Sequence, residues 1–271
     1  MLWDNITANY VLTTRTYPGT RAVGLFRDKV WPPTGAEQIT QVESGNSAHQ
    51  LYSQITFRFY DIWLGMVMVF DTANAAKIGT VHCRLSWSPS GLSNWSWVDS
   101  GGLTGKQFIP LGGPGSFSSH IIFAADAPFA LAGTNQEKQV VRVYYMGGNG
   151  PHNGARNTSL GLMTLRMDGF TGLRTTNTNQ VTFTTRPVLV TGPVMRLSVD
   201  MLTAAGSIRI GSANAGDGLN AADATPISSN ATDAKIVFQS GKDWSKLVGK
   251  HVELSIEMRT AMLYTVGFFA K

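Results

Sequence analysis

The chain nearly repeats itself, and this limits what it can fold into more than any other feature. Around Tyr52–Trp95 it reads LYSQITFRFY, DIWLGMVMVF and VHCRLSWSPSGLSNW. Around Ser118–Leu173 it reads SSHIIFAADAP, VVRVYYMGG and TSLGLMTLRMDGFTGL. Each is a trio of short β-type runs closed by a polar turn with Gly and then a large apolar residue, Trp95 or Leu173. MLWDN, YVLTTRT and RAVGLFRDKVW at the start read as a worn or partial third copy. The turns Ser90-Gly91 and Asp168-Gly169 stand 78 positions apart, and Asp28 precedes Ser90 by 62. A small sheet unit repeated at this scale buries its apolar face against its neighbours, which points to the blades of a propeller.

The bulk numbers agree with an all-β chain. Its 271 residues make one large or two modest domains, and 43% hydrophobic residues suffice for real cores. Charged residues are 14%, against about 25% in an average globular chain, and 29 Gly mark many turns. Lys and Arg outnumber Asp and Glu by 22 to 17 but stand singly along the sequence, so no nucleic-acid surface is expected. The lone Cys83 excludes an intrachain disulfide; apolar neighbours in VHCRLSW make it a buried structural thiol. The longest apolar run, Ile62–Phe70, is too short to span a bilayer, and no signal peptide opens the chain, so no membrane is expected. Sequons at Asn5, Asn94, Asn157 and Asn230, with abundant Ser, Thr and Asn, fit an extracellular protein or arise by chance.

Helical periodicity is nearly absent. Asp243–Val248 (DWSKLV) forms at most one turn, with Asp243 as its N-cap and Gly249 as its terminator. A domain boundary is expected near Phe170–Val181, giving a propeller-like domain over 1–172 and a second domain over 180–271. In the second, Val252, Leu254, Ile256 and Met258 face one way, while His251, Glu253, Ser255, Glu257 and Arg259 face the other. Met195–Met201 alternates likewise, and a set of half-buried strands predicts a two-sheet sandwich with Trp244 as an anchor.

A propeller running straight into a β-sandwich resembles glycoside hydrolase family 32 and its family 32-like relatives. The segments that carry the resemblance are WDNITANYVLTTRTYPGTRAVG, FIPLGGPGSFSSHIIFAA, YYMGGNGPHNGARNTSLGLMTLRMDGFTGL and the tail from LVTGPVMRLSVDML to LYTVGF. The resemblance implies a carbohydrate-related protein, a hydrolase in the parent family, built on five blades. This chain has room for about three, so it reads as the C-terminal three-fifths of such a propeller plus its sandwich. The Asn-Asp-Pro strand and the Glu-Cys-Pro motif of the family are absent. Lys29 replaces the Pro of an Arg-Asp-Pro motif after Arg27-Asp28, and Asp28 aligns with the turn residues Ser90 and Asp168.

Retaining glycoside hydrolysis needs two carboxylates about 5 Å apart across the bond, and inversion needs a wider gap. The repeat makes Leu2–Asn5, Leu51–Phe57 and Ser118–Phe123 the inner strands, offering Asp4, Tyr52 or Gln54, and His120 to the funnel. Asp4 is the one carboxylate among them and the candidate catalytic acid; the alternative is a turn residue. His120, after a Gly-rich loop, is a candidate sugar contact. In GGNGPHNGARN, Asn149, His152, Asn153 and Arg156 have the polar groups that recognise sugar hydroxyls, in a loop that either rings the propeller's mouth or bonds to itself around its glycines. Trp87, Trp95 and Trp97 are expected to pack between blades. No nucleotide, zinc or hydrolase motif is present, so no cofactor or metal is expected.

Two functions stand at this point. One is a reduced or fragmentary family 32-like glycosidase, inactive or weakly active alone, with Met1 internal to a longer secreted chain. The other is a non-enzymatic carbohydrate-binding or structural module. An incomplete ring leaves blade edges unpaired, which predicts a homo-oligomer or pairing with another chain.

Overall fold

Runs of β-branched and aromatic residues broken by Gly, Pro and Asn leave the backbone little choice but strands. The computed structural model, which describes residues 2–17, 19–34, 38–39, 45–72, 79–91, 94–131, 140–214 and 218–270, is all-β. Among these residues there is no α-helix; helical structure is confined to short 3-10 turns such as Trp244–Leu247. The chain divides into two compact units, Met1–Thr164 and Leu165–Lys271.

In the first unit, β1 (Leu2–Asp4), β2 (Asn9–Thr16), β3 (Ala22–Asp28) and β4 (Gln38–Ile39) form an antiparallel four-stranded sheet in chain order. A second meander follows in β5 (His49–Phe59), β6 (Ile62–Asp71), β7 (Thr80–Ser88) and β8 (Ser96–Trp97). In the third group, β9 (Ile121–Ala124) and β10 (Phe129–Leu131) both pair with β11 (Val140–Gly148), which also pairs with β12 (Thr158–Arg166). The three repeated stretches thus become three antiparallel units, as a partial propeller requires. One difference from free-standing blades appears. The second and third units share one sheet, because β7 and β9 meet in parallel at Val81 and Ile121. The seam is set by His120, whose carbonyl accepts from Val81 N at 2.9 Å while its N–H donates to Gly148 O at 3.0 Å.

The first two units pack face to face. Val23 of β3 meets Leu51, Val67 and Val69, with Leu103 and Trp97 beside them. Val11 and Leu25 meet Trp63 and Trp95. Each such side chain contributes about 1.5–3 kcal/mol by leaving water. Gly91 (φ +74°) is required there, because a Cβ would stand 2.6 Å from the Trp63 ring. Trp95 and Trp97 therefore pack as the sequence suggests. Trp87 does not: it sits near the end of β7, opposite Leu64, and is 39% exposed. Cys83 is fully buried, and burial pushes its thiol far up, so it packs and does not react. Asp28 is a turn residue: N–H groups of Thr34 and Val30 and the Thr34 hydroxyl hold its carboxylate at about 2.

The second unit contains β13 (Leu173–Arg174), β14 (Val181–Thr184), β15 (Val188–Leu189), β16 (Val194–Met201), β17 (Ser207–Ser212), β18 (Ala231–Lys235), β19 (His251–Val252), β20 (Leu254–Arg259) and β21 (Ala261–Phe269). One sheet runs β13-β21-β16-β18 and another β14-β20-β17, while β15 pairs with β19. Leu254, Ile256 and Met258 face the core as their alternation predicts, and they share it with Ile208, Ile210, Met195, Leu197 and Val199. Two sheets with one apolar filling between them make the sandwich. Trp244 is buried there, edge-on to Phe238 and Phe268 at 5.7 and 5.2 Å. The turn that carries it is capped as expected, Asp243 accepting from Ser245 N at 2.9 Å, with Gly249 at φ +83° beyond it. Arg166 ties this unit together by donating to Asp168 and Asp200 at 2.8 and 2.5 Å while lying 4.2 Å over the Tyr264 ring.

Candidate functional site

The site begins with an irregularity. The β5–β6 register slips between Leu51 and Ser53, so Tyr52 is the extra residue of a β-bulge. A bulge bends its strand and re-aims the side chain it carries. Tyr52 stacks on Phe70 of β6 at 4.8 Å and on Phe123 of β9 at 6.4 Å. The loop between β11 and β12 then lays His152 edge-on to the same ring at 5.0 Å. His152 lies 5.3 Å from Phe70 and 6.2 Å from Phe123, so four rings converge from three strands and a loop.

The loop is held in place by its own backbone. His152 N donates to Gly79 O at 2.6 Å, and Gly79 (φ +79°) must lack a side chain, since a Cβ would stand 2.9 Å from His152 N. Arg156 Nη1 donates to the carbonyls of Pro151, His152 and Gly154 at 3.3, 2.6 and 3.3 Å. Asn149 closes the base, its Oδ1 accepting from Asn157 N at 2.8 Å. Asn149 and Arg156 thus build the loop, and His152 is the residue it delivers to the rings.

Two further arginines complete the cluster. Arg15 near the end of β2 and Arg21 just before β3 lie with their guanidinium carbons 5.3 and 4.9 Å from the Tyr52 centroid. Arg15 is also 5.8 Å from the ring of Tyr17, which is 62% exposed. Arg21 Nη1 donates to Gln50 Oε1, and the Arg21 carbonyl accepts from Leu51 N at 3.1 Å, which fixes the β2–β3 turn against the bulge. The charges act on both titrating rings. Burial depresses the His152 value and Arg156, Arg21 and Arg15 add to that, so the imidazole stays neutral below its ordinary 6.5. Burial raises the Tyr52 phenol against the opposing pull of Arg21 and Arg15.

Of the residues singled out in the sequence, Tyr52 and His152 come together, with Arg156 behind His152. His120 lies at the seam with its ring Nδ1 paired to Ser119 Oγ at 2.9 Å. Asp4 is elsewhere. It pairs with Asn9 at the opposite end of β2 from Arg15, six residues or about 20 Å along the strand. There its buried carboxylate accepts from Ile6 N and Arg27 Nη2, both at 3.2 Å, and from the Thr7 hydroxyl. Burial works against its ionisation, but the Thr7 and Ile6 hydrogen bonds and the Arg27 charge outweigh it and leave the value lowered. Arg15, Tyr17 and Arg21 were not singled out, although TTRTYPGTR places an aromatic residue between two arginines at a turn.

The opposite face of the same strand ends carries a cavity of about 120 Å³ lined by His49, Asp71, Thr80, His82 and Gln107, among others. Among the described residues, no group of three or more His, Cys, Asp or Glu could hold a metal ion there or elsewhere. Nor is any helix among them long and apolar enough to cross a membrane.

Among solved structures, the chain is similar to an N-acetylgalactosamine deacetylase from F. plautii in complex with blood group B trisaccharide, at TM-score 0.47 and 14% identity. The match covers 62% of this chain and 49% of that one, so the chain spans about half the length of that protein. It is also similar to a GH32 β-fructofuranosidase of Bombyx mori, at TM-score 0.25 and 11% identity over 96% of this chain and 77% of that one. No family model and no curated protein matches the chain. Likeness at these levels assigns nothing to the residues of the site.

Proposed function

We propose that the chain is a non-catalytic carbohydrate-binding protein whose sugar rests on the surface formed by Arg15, Tyr17 and His152 over the buried ring of Tyr52. The observation that carries this reading is the convergence of aromatic rings and guanidinium donors at one end of the strands. Aromatic faces take the C–H face of a sugar, and forked N–H donors take its oxygens. Catalysis by two facing carboxylates finds less support. Asp4 is held ionised by Thr7, Ile6 and Arg27, so it carries no proton to deliver to a leaving group, and it lies about 20 Å along β2 from the rings.

Glycan-array binding and fructan hydrolysis, measured on the same sample, test the reading. Binding without turnover, weakened in Tyr17→Ala and His152→Ala and unchanged in Asp4→Asn, is the expected result. Turnover lost in Asp4→Asn would overturn it in favour of a family 32-like hydrolase.

A further inference from the structure

Of the ten described arginines outside the cluster, four meet a carboxylate, Arg27 with Asp4, Arg84 with Asp99, Arg166 with Asp168 and Asp200, and Arg196 with Asp233, and six, Arg58, Arg142, Arg174, Arg186, Arg209 and Arg259, form no ion pair among the described residues. Arg15, Arg21 and Arg156 meet no carboxylate among the described residues, although they gather around one pair of rings. Their contacts are to aromatic faces, to the Gln50 amide oxygen and to backbone carbonyls. Nε of Arg21, Nε of Arg156 and Nδ1 of His152 are shielded from water and have no acceptor. Arg15 and Arg21 over the Tyr52 ring, with Arg156 behind His152, repel one another, and a cation over a ring recovers only about 0.5–2 kcal/mol. The arrangement is complete when an anion joins it. Arg15 is exposed and stands between the open face of Tyr17 and the ring of Tyr52, so an anionic group can reach it from solvent while the rest of the ligand lies on Tyr17.

We propose that the sugar bound here is an acidic one, its carboxylate or sulfate seated between Arg15 and Arg21 and its ring lying against Tyr17. The inference rests on the carbohydrate-binding reading and narrows it to a ligand class. A planar guanidinium matches the two oxygens of a carboxylate or two of the three terminal oxygens of a sulfate ester, whereas a neutral sugar would leave the charges unmatched.

The test is isothermal titration calorimetry on the intact chain. Its ligands are oligogalacturonate, a sulfated galactan oligosaccharide and the neutral galacto-oligosaccharide of the same length, each at low and high salt. The acidic sugars are expected to bind at least about tenfold tighter than the neutral one, and more weakly as salt rises. Arg15→Gln and Arg21→Gln should each cost about tenfold on the acidic sugars and clearly less on the neutral one, which loses at most a neutral hydrogen bond. Arg15→Lys should recover part of the loss, and Arg196→Gln should do nothing. The ratio between the two acidic sugars tells carboxylate from sulfate. Equal affinity for acidic and neutral sugars, indifferent to both Gln variants, would sink the acidic inference and leave the carbohydrate reading standing. Binding of no sugar of either kind would remove both. A single-stranded oligonucleotide bound more tightly than any sugar would overturn the ligand class.

Discussion

Arg84 offers the sharpest quantitative test of how this fold is held. It stands on β7 wholly buried, on the face that packs toward the first sheet. Its Nη2 lies 3.0 and 3.1 Å from the two oxygens of Asp99, and its Nε donates to Lys106 O at 3.4 Å. The guanidinium carbon sits 4.3 Å from the Trp97 centroid. Nη1 is shielded and has no acceptor. Asp99 differs: its side chain is 31% exposed, and it also accepts from Gly101 N at 2.7 Å and Lys106 N at 3.1 Å. The two halves of the pair should therefore fail unequally. Asp99→Ala strands a buried guanidinium and should cost about 3–5 kcal/mol, toward the lower figure because the carboxylate is partly wet. Arg84→Met keeps an unbranched chain against Trp97 and leaves Asp99 to water and two N–H groups, at a cost of about 1 kcal/mol or less. At roughly 2–4 °C per kcal/mol, the melting points fall by about 6–20 °C and by at most about 4 °C. Calorimetry and urea unfolding followed by tryptophan fluorescence read both, and Arg84→Met added to Asp99→Ala should restore stability. Equal losses in the two single variants, or no restoration in the double, would refute the claim that desolvation of the guanidinium decides this pair.

Four other expectations follow from the same geometry. Trp244→Ala empties the sandwich core beside Phe238 and Phe268 and should cost about 3–5 kcal/mol by denaturant unfolding; a loss under about 1 kcal/mol would mean that the turn peels away freely. Gly79→Ala forces a side chain into a positive-φ position 2.9 Å from His152 N, and should move the His152 ring resonances in NMR. Asp4 has a lowered folded value, so its contribution to stability is present above the ordinary 3.8 and is lost as the pH falls through the folded value; Asp4→Asn should flatten that acid limb of the stability profile. His152 is held neutral by burial and by Arg156, Arg21 and Arg15, so an acidic sugar that offsets those charges should raise its NMR titration midpoint, and an unmoved midpoint would count against the acidic-sugar inference.

Much of the fold was legible because its signals are local. Leu254, Ile256 and Met258 are buried where period-two alternation places them, and Asp243 caps the turn that DWSKLV predicts. The trios become strands at nearly the positions where they repeat. The seam between the second and third units was not legible. It depends on one parallel pair, Val81 with Ile121, and on the backbone of His120, neither of which leaves a mark in residue type. The exposure of Trp87 escaped for a related reason: a Trp at a strand end reads the same in sequence whether or not a neighbour covers it.

The candidate site divides in the same way, and the division explains why a sequence with singly spaced basic residues still builds a basic cluster. Tyr52 and His152 carry local signals, an inner-strand position and a Gly-rich loop. Arg15 and Arg21 lie more than 30 residues from Tyr52 and more than 130 from His152 along the chain, counting Arg15 to Tyr52 and Arg21 to His152. Antiparallel pairing removes that separation. The end of β2, the start of β3, the start of β5, the end of β6 and the loop after β11 are brought to one place, as the contacts of Tyr52 with Arg15, Arg21, Phe70 and His152 require. The bulge then turns Tyr52 into that place and flips the in/out phase of β5 beyond it, and the flip is hidden from the sequence because the buried positions that follow, Gln54 and Thr56, are polar. A one-residue deletion that restores regular β5–β6 pairing should therefore keep the strands and their core yet remove Tyr52 from the arginines. The expected readout is a folded circular-dichroism spectrum together with loss of sugar binding. Retained binding in a folded deletion variant would show that Tyr17 and the arginines suffice without the bulge.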